Sequence, residues 1–419
     1  MRMPPMIAAL GRHRLTCWLL VLQVAVTCAV VCNAAFLVVQ RVQRVDEPSG
    51  LREAGLSVMA LSLAKLHHDQ LAQYLGDVDA LRRLPGVRAA ALLDSVPYLG
   101  AESSGTTCGS LDAVHRMLAA RADVPGCAEP VLYSGGRQVV RALGLTLVAG
   151  RDFRDGEYVQ GKAGYQMGDA PSVIISQRLA RRLYPGRSAI GRMIYFGNGL
   201  LNGQGKQVVG VVKHLQRGIL RKSVDYDQAV LVPSEPADAS VLFAVRSSAR
   251  DQPRVLAAAE ALLDKRHPDR LQNPDFGRSY AQIRHAYFQR DTTMIGLLLA
   301  SALGLLFVTA LGIGGLASFW VQQRTRTIGI RRAIGATRGD ILRYFQAENF
   351  LIVTAGIALG MLLAFVLNVL LMRRYELPRL PLSYLPMGAL VLWTLGQFAV
   401  LSPARRAAKV PPVVATRSV

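Results

Sequence analysis

Four stretches of the chain are apolar enough, and long enough, to cross a bilayer as helices: residues 15–39, 291–320, 349–372 and 382–402. A crossing takes about 20 residues. Between the first and second runs, residues 40–290 hold no such stretch, and their hydrophobic positions come in short bursts separated by Gly, Pro and polar residues. Residues 56–63 read as a strand, 68–84 as a helix stopped by Leu84-Pro85-Gly86, and 88–96 as extended chain. Val173-Ile174-Ile175 is a buried-strand pattern, after which Ser176 caps a helix through Leu183 and Tyr184-Pro185-Gly186 ends it. Residues 190–196, 208–212 and 241–245 read as further strands and 254–263 as a helix, whereas 100–136 reads as loop-rich. The pattern predicts a membrane protein: four transmembrane α-helices with a large α+β domain inserted between helices 1 and 2. Short alternating elements suggest two similar βαβ-type halves and an insertion.

Charge orients the spans. Between the second and third runs, Arg324, Arg326, Arg331, Arg332, Arg338 and Arg343 face only Asp340 and Glu348. Short loops rich in Lys and Arg stay in the cytoplasm, so residues 321–348 are expected there. Arg2, Arg12 and Arg14 put residues 1–14 on the same side, and Arg405, Arg406 and Lys409 do so for residues 403–419. The inserted domain, residues 40–290, then lies outside. The short loop at 373–381 also lies outside, with Arg373, Arg374 and Arg379 running against the charge rule. A cleaved signal peptide ending near Cys32 and Ala34 is the competing reading of the first run. That run exceeds the 7–15-residue core of such signals, and a retained anchor is expected.

The segment between the second and third spans carries more detail than charge. Ile330 and Ile334 stand one helical turn apart beside Ala333, with arginines on the other side. Gly335 follows where helix C-termini favour glycine. Thr337 then stands three residues before Asp340, a capping-box spacing, and Ile341, Leu342 and Phe345 carry an apolar stripe into the next span. A short helix, a glycine corner and a second helix are expected. An interfacial helix holding anionic lipid headgroups is the plainer reading of the same composition.

The formal net charge of +21 raises nucleic acid as a partner, but no basic block interleaved with aromatics is present and no nucleic-acid role is expected. Other chemistry is incomplete. Gly156-x4-Gly161-Lys162 lacks the Ser or Thr of a phosphate loop, having Ala163 instead. Ser62-x-x-Lys65 has neither companion motif of the penicillin-binding enzymes. His67-His68-Asp69 point in different directions on a helix, and Gly312-x-Gly314 and Gly356-x3-Gly360 fall inside spans, where small residues pack helices. No catalytic, cofactor-binding or metal residue is assigned. Cys17, Cys28 and Cys32 fall in the first span. Cys108 and Cys127 lie in the outer domain, where disulfides persist, and a bond between them is expected.

The run TIGIRRAIGATRGDILRYFQAENFLI resembles the hallmark of the MacB/FtsX-like family of ABC-transporter permeases, E-I-G-I-R-R-A-[IL]-G-A-T-R-x-x-I, with Thr327 where a Glu is usual. Further matches lie in the middle domain. Leu143-Gly144-Leu145 with Ala149-Gly150-Arg151-Asp152-Phe153 is similar to L-G-x-x-L-x-x-G-R-x-F. Ile174-Ile175-Ser176, Leu179 to Leu183 and Ile190-Gly191 resemble a second family pattern. Val209-Gly210-Val211-Val212-Lys213 resembles a third, with His214 replacing the usual acid or amide. Pro403-Ala404-Arg405-Arg406-Ala407 is similar to the family's terminus. The resemblance implies a MacB-type periplasmic core domain and a bacterial inner-membrane permease. It further implies that Ile328, Gly329, Ile330, Arg331, Arg332, Ala333, Gly335, Ala336, Thr337 and Arg338 dock a cytoplasmic ATPase. The isoleucines would fill its groove and the arginines pair its acidic rim. ATP and Mg would be bound by that partner and not by this chain. A second permease subunit, homo- or heterodimeric, is implied as well, and a periplasmic adaptor and outer-membrane duct may be read into the family's exporters of peptides, drugs or lipoproteins. Within the family the alternative is a mechanical regulator of a periplasmic partner such as a cell-wall hydrolase. A membrane-anchored periplasmic enzyme is the alternative from another class.

Overall fold

The computed structural model describes residues 14–63, 69–100, 102–120, 124–161, 169–197, 205–220, 226–268, 271, 277–375, 381 and 383–409. Expectations resting on Arg2, Arg12, Lys65, His67, His68, Lys162, Ala163 and Arg379 lie outside these residues, as do those on 410–419. In chain order the elements are α1 (Arg14–Val45), β1 (Leu56–Ser62), α2 (Gln70–Arg82), β2 (Ala89–Leu93), β3 (Ser103–Ser104), β4 (Thr107–Cys108) and α3 (Leu111–Ala120). Then follow β5 (Cys127–Ala128), β6 (Val131–Ser134), α4 (Val139–Leu143), β7 (Leu147–Gly150), β8 (Val159–Gln160), β9 (Ser172–Ser176), α5 (Gln177–Leu183), β10 (Met193–Phe196) and β11 (Lys206–Val212). The chain continues through β12 (Ala229–Val232), β13 (Ser234–Glu235), β14 (Ser240–Arg246), α6 (Gln252–Arg266) and β15 (Gly277–Ser279). It ends with α7 (Tyr280–Gln323), α8 (Thr325–Ala333), α9 (Arg338–Tyr375) and α10 (Tyr384–Ala408). Two compact units result, Glu47–Gln289 and a second formed by Met1–Asp46 with Arg290–Val419.

In the second unit, α1, α7, α9 and α10 are long and apolar enough to cross a membrane. Apolar surface gains nothing from helix contact when lipid is the solvent, so close packing and polar bridges hold such helices together. Both devices are present. A Cβ added to Gly356 would stand 2.7 Å from the Cβ of Val24, and one on Gly360 would stand 2.5 Å from that of Cys28. The Gly356-x3-Gly360 spacing therefore lets α9 lie against the backbone of α1. Asn33 Nδ2 donates to Ala364 O at 3.2 Å, Asn349 Nδ2 to Gly396 O at 3.0 Å, and the hydroxyls of Thr27 and Thr309 meet at 2.8 Å. Asp291, buried on α7, pairs with Arg41 of α1.

In the other unit, a four-stranded antiparallel sheet has the order β15-β1-β14-β2. Its chain path, β1-α2-β2 followed later by β14-α6-β15, is a pair of interleaved βαβ halves, the split arrangement in which each half straddles a strand of the other. Alternate residues on one sheet face, Met59, Leu61, Leu92 and Phe243 among them, bury against Tyr74, Val78 and Leu81 of α2 and Val255 and Leu263 of α6. Asp77 of α2 ties the two helices by pairing with Arg266 and, at 2.5 Å, with His267 Nε2.

Residues 94–239 are the insertion between the halves. They form a nine-stranded sheet ordered β3-β6-β12-β9-β11-β10-β4-β5, with β7 also paired to β11. Val173 and Ile175 of β9 lie in its core with Val208, Val211, Val230 and Val232. Ser176 caps α5 by accepting from Leu179 N at 3.4 Å, and its hydroxyl donates to Asp227 O at 2.6 Å. Cys108 and Cys127, directly opposite on β4 and β5, are joined by a disulfide with S–S 2.05 Å. Residues 100–136 are less loop-like than their composition suggests. α3 forms there, with Ala113 and Val114 covering the disulfide and Ser110 Oγ accepting from Ala113 N at 3.3 Å. Ten residues give the periodicity too little length to stand out. At the start of the expected 190–196 strand, Ile190 stays in the preceding turn, and β10 begins at Met193.

Asp94 stands where the split sheet hands over to the insertion. Its Oδ1 accepts from Ser95 N at 2.7 Å and Ser134 N at 2.9 Å, while its own N–H donates to Ser134 O. Burial raises its carboxyl to about 7 against these hydrogen bonds, which favour the charge. An acid whose folded pKa lies above its unfolded one favours folding while protonated, so this contribution weakens as pH rises from about 4 to 7. Asp94→Asn should remove that component, flattening the fall in unfolding temperature across the same window by up to a few kcal/mol of stability. A pH series of thermal melts on the two proteins checks it. Thiol labelling under denaturing, non-reducing conditions should modify Cys17, Cys28 and Cys32 but neither Cys108 nor Cys127. Cys127→Ser should cost about 3 kcal/mol.

Candidate functional site at the arginine-rich corner

α7 and α8 are separated by Arg324 alone. Its guanidinium holds both carboxylate oxygens of Glu348, Nη1 lying 3.0 Å from Oε1 and 2.9 Å from Oε2. The Glu348 side chain is 3% exposed. A buried carboxylate without a counterion is strongly destabilising, so this pair fixes the end of α7 to α9. Ile328 and Gly329 are buried, and Ile328 packs in one cluster with Trp320, Ile341 and Phe345.

Helix α8 then stops in a Schellman motif. Gly335 N donates to Arg332 O at 3.2 Å and Ala336 N to Arg331 O at 3.0 Å. Gly335 has φ +108°, a conformation that glycine reaches without a Cβ penalty. Two residues later α9 starts with reciprocal capping. Thr337 Oγ1 accepts from Asp340 N at 3.2 Å, and Asp340 Oδ2 accepts from Thr337 N at 3.0 Å. Four backbone groups at the two helix ends, the carbonyls of Arg331 and Arg332 and the N–H groups of Thr337 and Asp340, thus find partners within ten residues.

The outward side of the corner is apolar at its centre and basic around it. Ile330 is 47% exposed and Ile334 81%, one turn apart. Thr327, Arg326, Arg331, Ala333 and Arg338 are exposed, and Arg332 and Ala336 half-buried. The Arg331 guanidinium lies over the Tyr344 ring, 4.8 Å from its centre. Between α8 and α9 a cavity of about 430 Å³ is lined by Thr327, Ile328, Arg331, Ala336, Asp340 and Tyr344, among others.

The expected docking residues thus fall into two sets. Ile330, Arg331, Ala333 and Arg338 face outward. Ile328, expected to fill a partner's groove, is instead used inside the chain: two residues from Ile330 is roughly 200° around a helix, which turns it toward Ile341 and Phe345. Ile334 takes the outward place. The Arg324–Glu348 pair and Tyr344 were not among the expected residues; a lone glutamate at the head of an apolar run, opposite an arginine-rich loop, is the signal that points to the pair. Elsewhere, the Ser62 hydroxyl bonds to that of Ser240 across the strands, and Gly161 N donates to Glu235 O. Among the described residues no group of three or more His, Cys, Asp or Glu is placed to hold a metal ion.

Comparison with known proteins agrees with this architecture. Residues 34–264 match the MacB-like periplasmic core domain and residues 299–412 the FtsX-like permease C-terminal domain. The chain belongs to the MacB/FtsX-like family of ABC-transporter permeases. It is a multi-pass inner-membrane protein with its α+β domain in the periplasm. Among its relatives are the macrolide export ATP-binding/permease protein MacB of Nitrosomonas europaea, 30% identical over 59% of this chain and 38% of that protein, and the permease YknZ of Bacillus subtilis, 28% identical over 65% of this chain and 66% of that one. The chain therefore spans less than two thirds of either. The periplasmic region of MacB from Actinobacillus actinomycetemcomitans is similar at 14% identity and TM-score 0.34, covering 58% of this chain and 97% of that structure.

Glu348→Ala should destabilise the chain in detergent by about 3–5 kcal/mol, and adding Arg324→Ala should cost less than the sum of the two single changes. A double-mutant cycle on unfolding checks the coupling.

Proposed function

We propose that this chain is the permease subunit of a MacB-type ABC transporter, and that an ATPase on the cytoplasmic side seats on the ridge of Ile330 and Ile334. The single observation that carries the reading is this ridge: two isoleucines, 47% and 81% exposed, on a helix locked at both ends. An isolated interfacial helix has no use for a Schellman corner, a capping box and a buried ion pair that hold its direction relative to the next span. A coupling element does, because a push applied to a loose loop is lost in the loop. The apolar ridge suits a groove, and the arginines around it suit an acidic rim.

ATP and Mg would be held by that partner. Closure of paired ATPases would move the corners of paired permeases, and α7 and α9 carry the motion away from the cytoplasm. The periplasmic domain is then the working part. We infer that the work is export of a peptide, drug or lipoprotein from the periplasm, in keeping with the macrolide export for which the MacB relatives are named.

Ile330→Asp should reduce recovery of an ATP-binding subunit with the tagged chain at least about tenfold while leaving membrane insertion intact. Ile328→Asp should instead lower the amount of folded chain, since that side chain is internal. Affinity purification from native membranes in mild detergent, with partners identified by mass spectrometry, separates the two. Stoichiometric ATPase with Ile330→Asp would sink the docking assignment.

A further inference from the structure

A cleft of about 350 Å³ opens in the periplasmic unit where α2 and β2 of the split sheet face the β6–α4 turn, β8 and β13 of the insertion. Its volume is within the usual range for small-molecule sites. On its wall stands Glu235, whose side chain is 9% exposed. Two glycines make room for it: a Cβ on Gly136 would stand 3.3 Å from its Cγ, and one on Gly161 would stand 2.6 Å from its carbonyl oxygen. Among the described residues nothing donates a hydrogen bond to its carboxylate. The Arg137 Nε lies 3.9 Å from Oε1, beyond hydrogen-bond reach. Burial raises its pKa, with Arg137 and Arg82 opposing.

Arg137 is the charge partner of Glu235. Its side chain is 55% exposed and donates no hydrogen bond among the described residues. Its backbone, by contrast, is held. Arg82 Nη2 donates to Arg137 O at 2.9 Å, and Gln138, the next residue, has φ +67°, a left-handed conformation that costs a non-glycine residue energy and clusters at functional sites. The hydroxyl oxygen of Tyr158 accepts from Gln138 N, leaving its proton to point elsewhere.

The Glu235 carboxylate and the Arg137 guanidinium therefore form a loose ion pair, their near atoms 3.9 Å apart, which leaves hydrogen-bonding positions of both groups open to the cleft. One ligand class supplies both a donor to the acid and an acceptor to the guanidinium. We propose that the cleft binds a small zwitterion of the amino-acid or dipeptide class, with its ammonium on Glu235 and its carboxylate on Arg137. Leu75 and Val78 of α2 form a wall for an apolar side chain. Such a ligand bridges the split sheet and the insertion. The proposal is independent of how the cytoplasmic corner is used.

The test is calorimetric titration of the full chain in lipid nanodiscs with the dipeptide alanyl-leucine. Saturable binding is expected, weakened at least about tenfold by acetylating the amino end or amidating the carboxyl end. Glu235→Gln should erase the difference between free and acetylated dipeptide. Arg137→Gln should erase that between free and amidated dipeptide. Absence of saturable binding, or equal binding of free and blocked dipeptides by the unmodified chain, overturns the proposal, as does a Glu235→Gln variant that melts normally and still discriminates.

Discussion

A helix end leaves four backbone groups without partners, and the corner between α8 and α9 exists because two such ends meet where the chain can satisfy them. The Schellman bonds from Gly335 and Ala336 close one helix, and Thr337 and Asp340 open the next. With only Ala336 between the glycine and the cap, neither helix can swing without breaking these bonds. The outward set of Ile330 and Ile334, the inward set of Ile328, and the pairing of Arg324 with Glu348 all follow from the angle held there. Were the corner a flexible loop, the same residues would offer no defined surface.

Packing of the spans obeys a different physical rule from packing of the periplasmic unit. In the membrane the gain comes from closeness and from polar bridges, which is why Gly356 and Gly360 meet α1 and why Asn33, Asn349 and the Thr27–Thr309 pair cross between helices. In the periplasm water drives apolar side chains together, and α2 and α6 cover one face of the split sheet through residues at alternate strand positions. The insertion adds a second core and a disulfide. The seam between the two sheets joins the apolar contact of α4 with β2 and β14 to a polar margin. Asp94 and the cleft around Glu235 both sit at that margin.

Side chains capable of chemistry are used structurally: Ser176 in a cap, Asp77 and His267 in a helix tie, Ser62 in a cross-strand bond. The ordered, outward-facing features include the apolar ridge of Ile330 and Ile334 and the cleft around Glu235.

Long-range periodicity and charge are properties of composition, so the sequence by itself determined the four spans, their orientation and the α+β character of the inserted domain. Local hydrogen-bond chemistry is nearly as readable, because it involves residues three or four apart; the Ser176 cap and the Gly335 corner were visible for that reason. The tertiary structure alone decided what depends on residues distant in the chain. It set Ile328 against Ile341 and Phe345, paired Arg324 with Glu348, interleaved two βαβ halves across an insertion, and placed Glu235 beside Arg137. No spacing rule links those positions, since the contacts are made by separate elements whose approach is set by the packing of the whole unit.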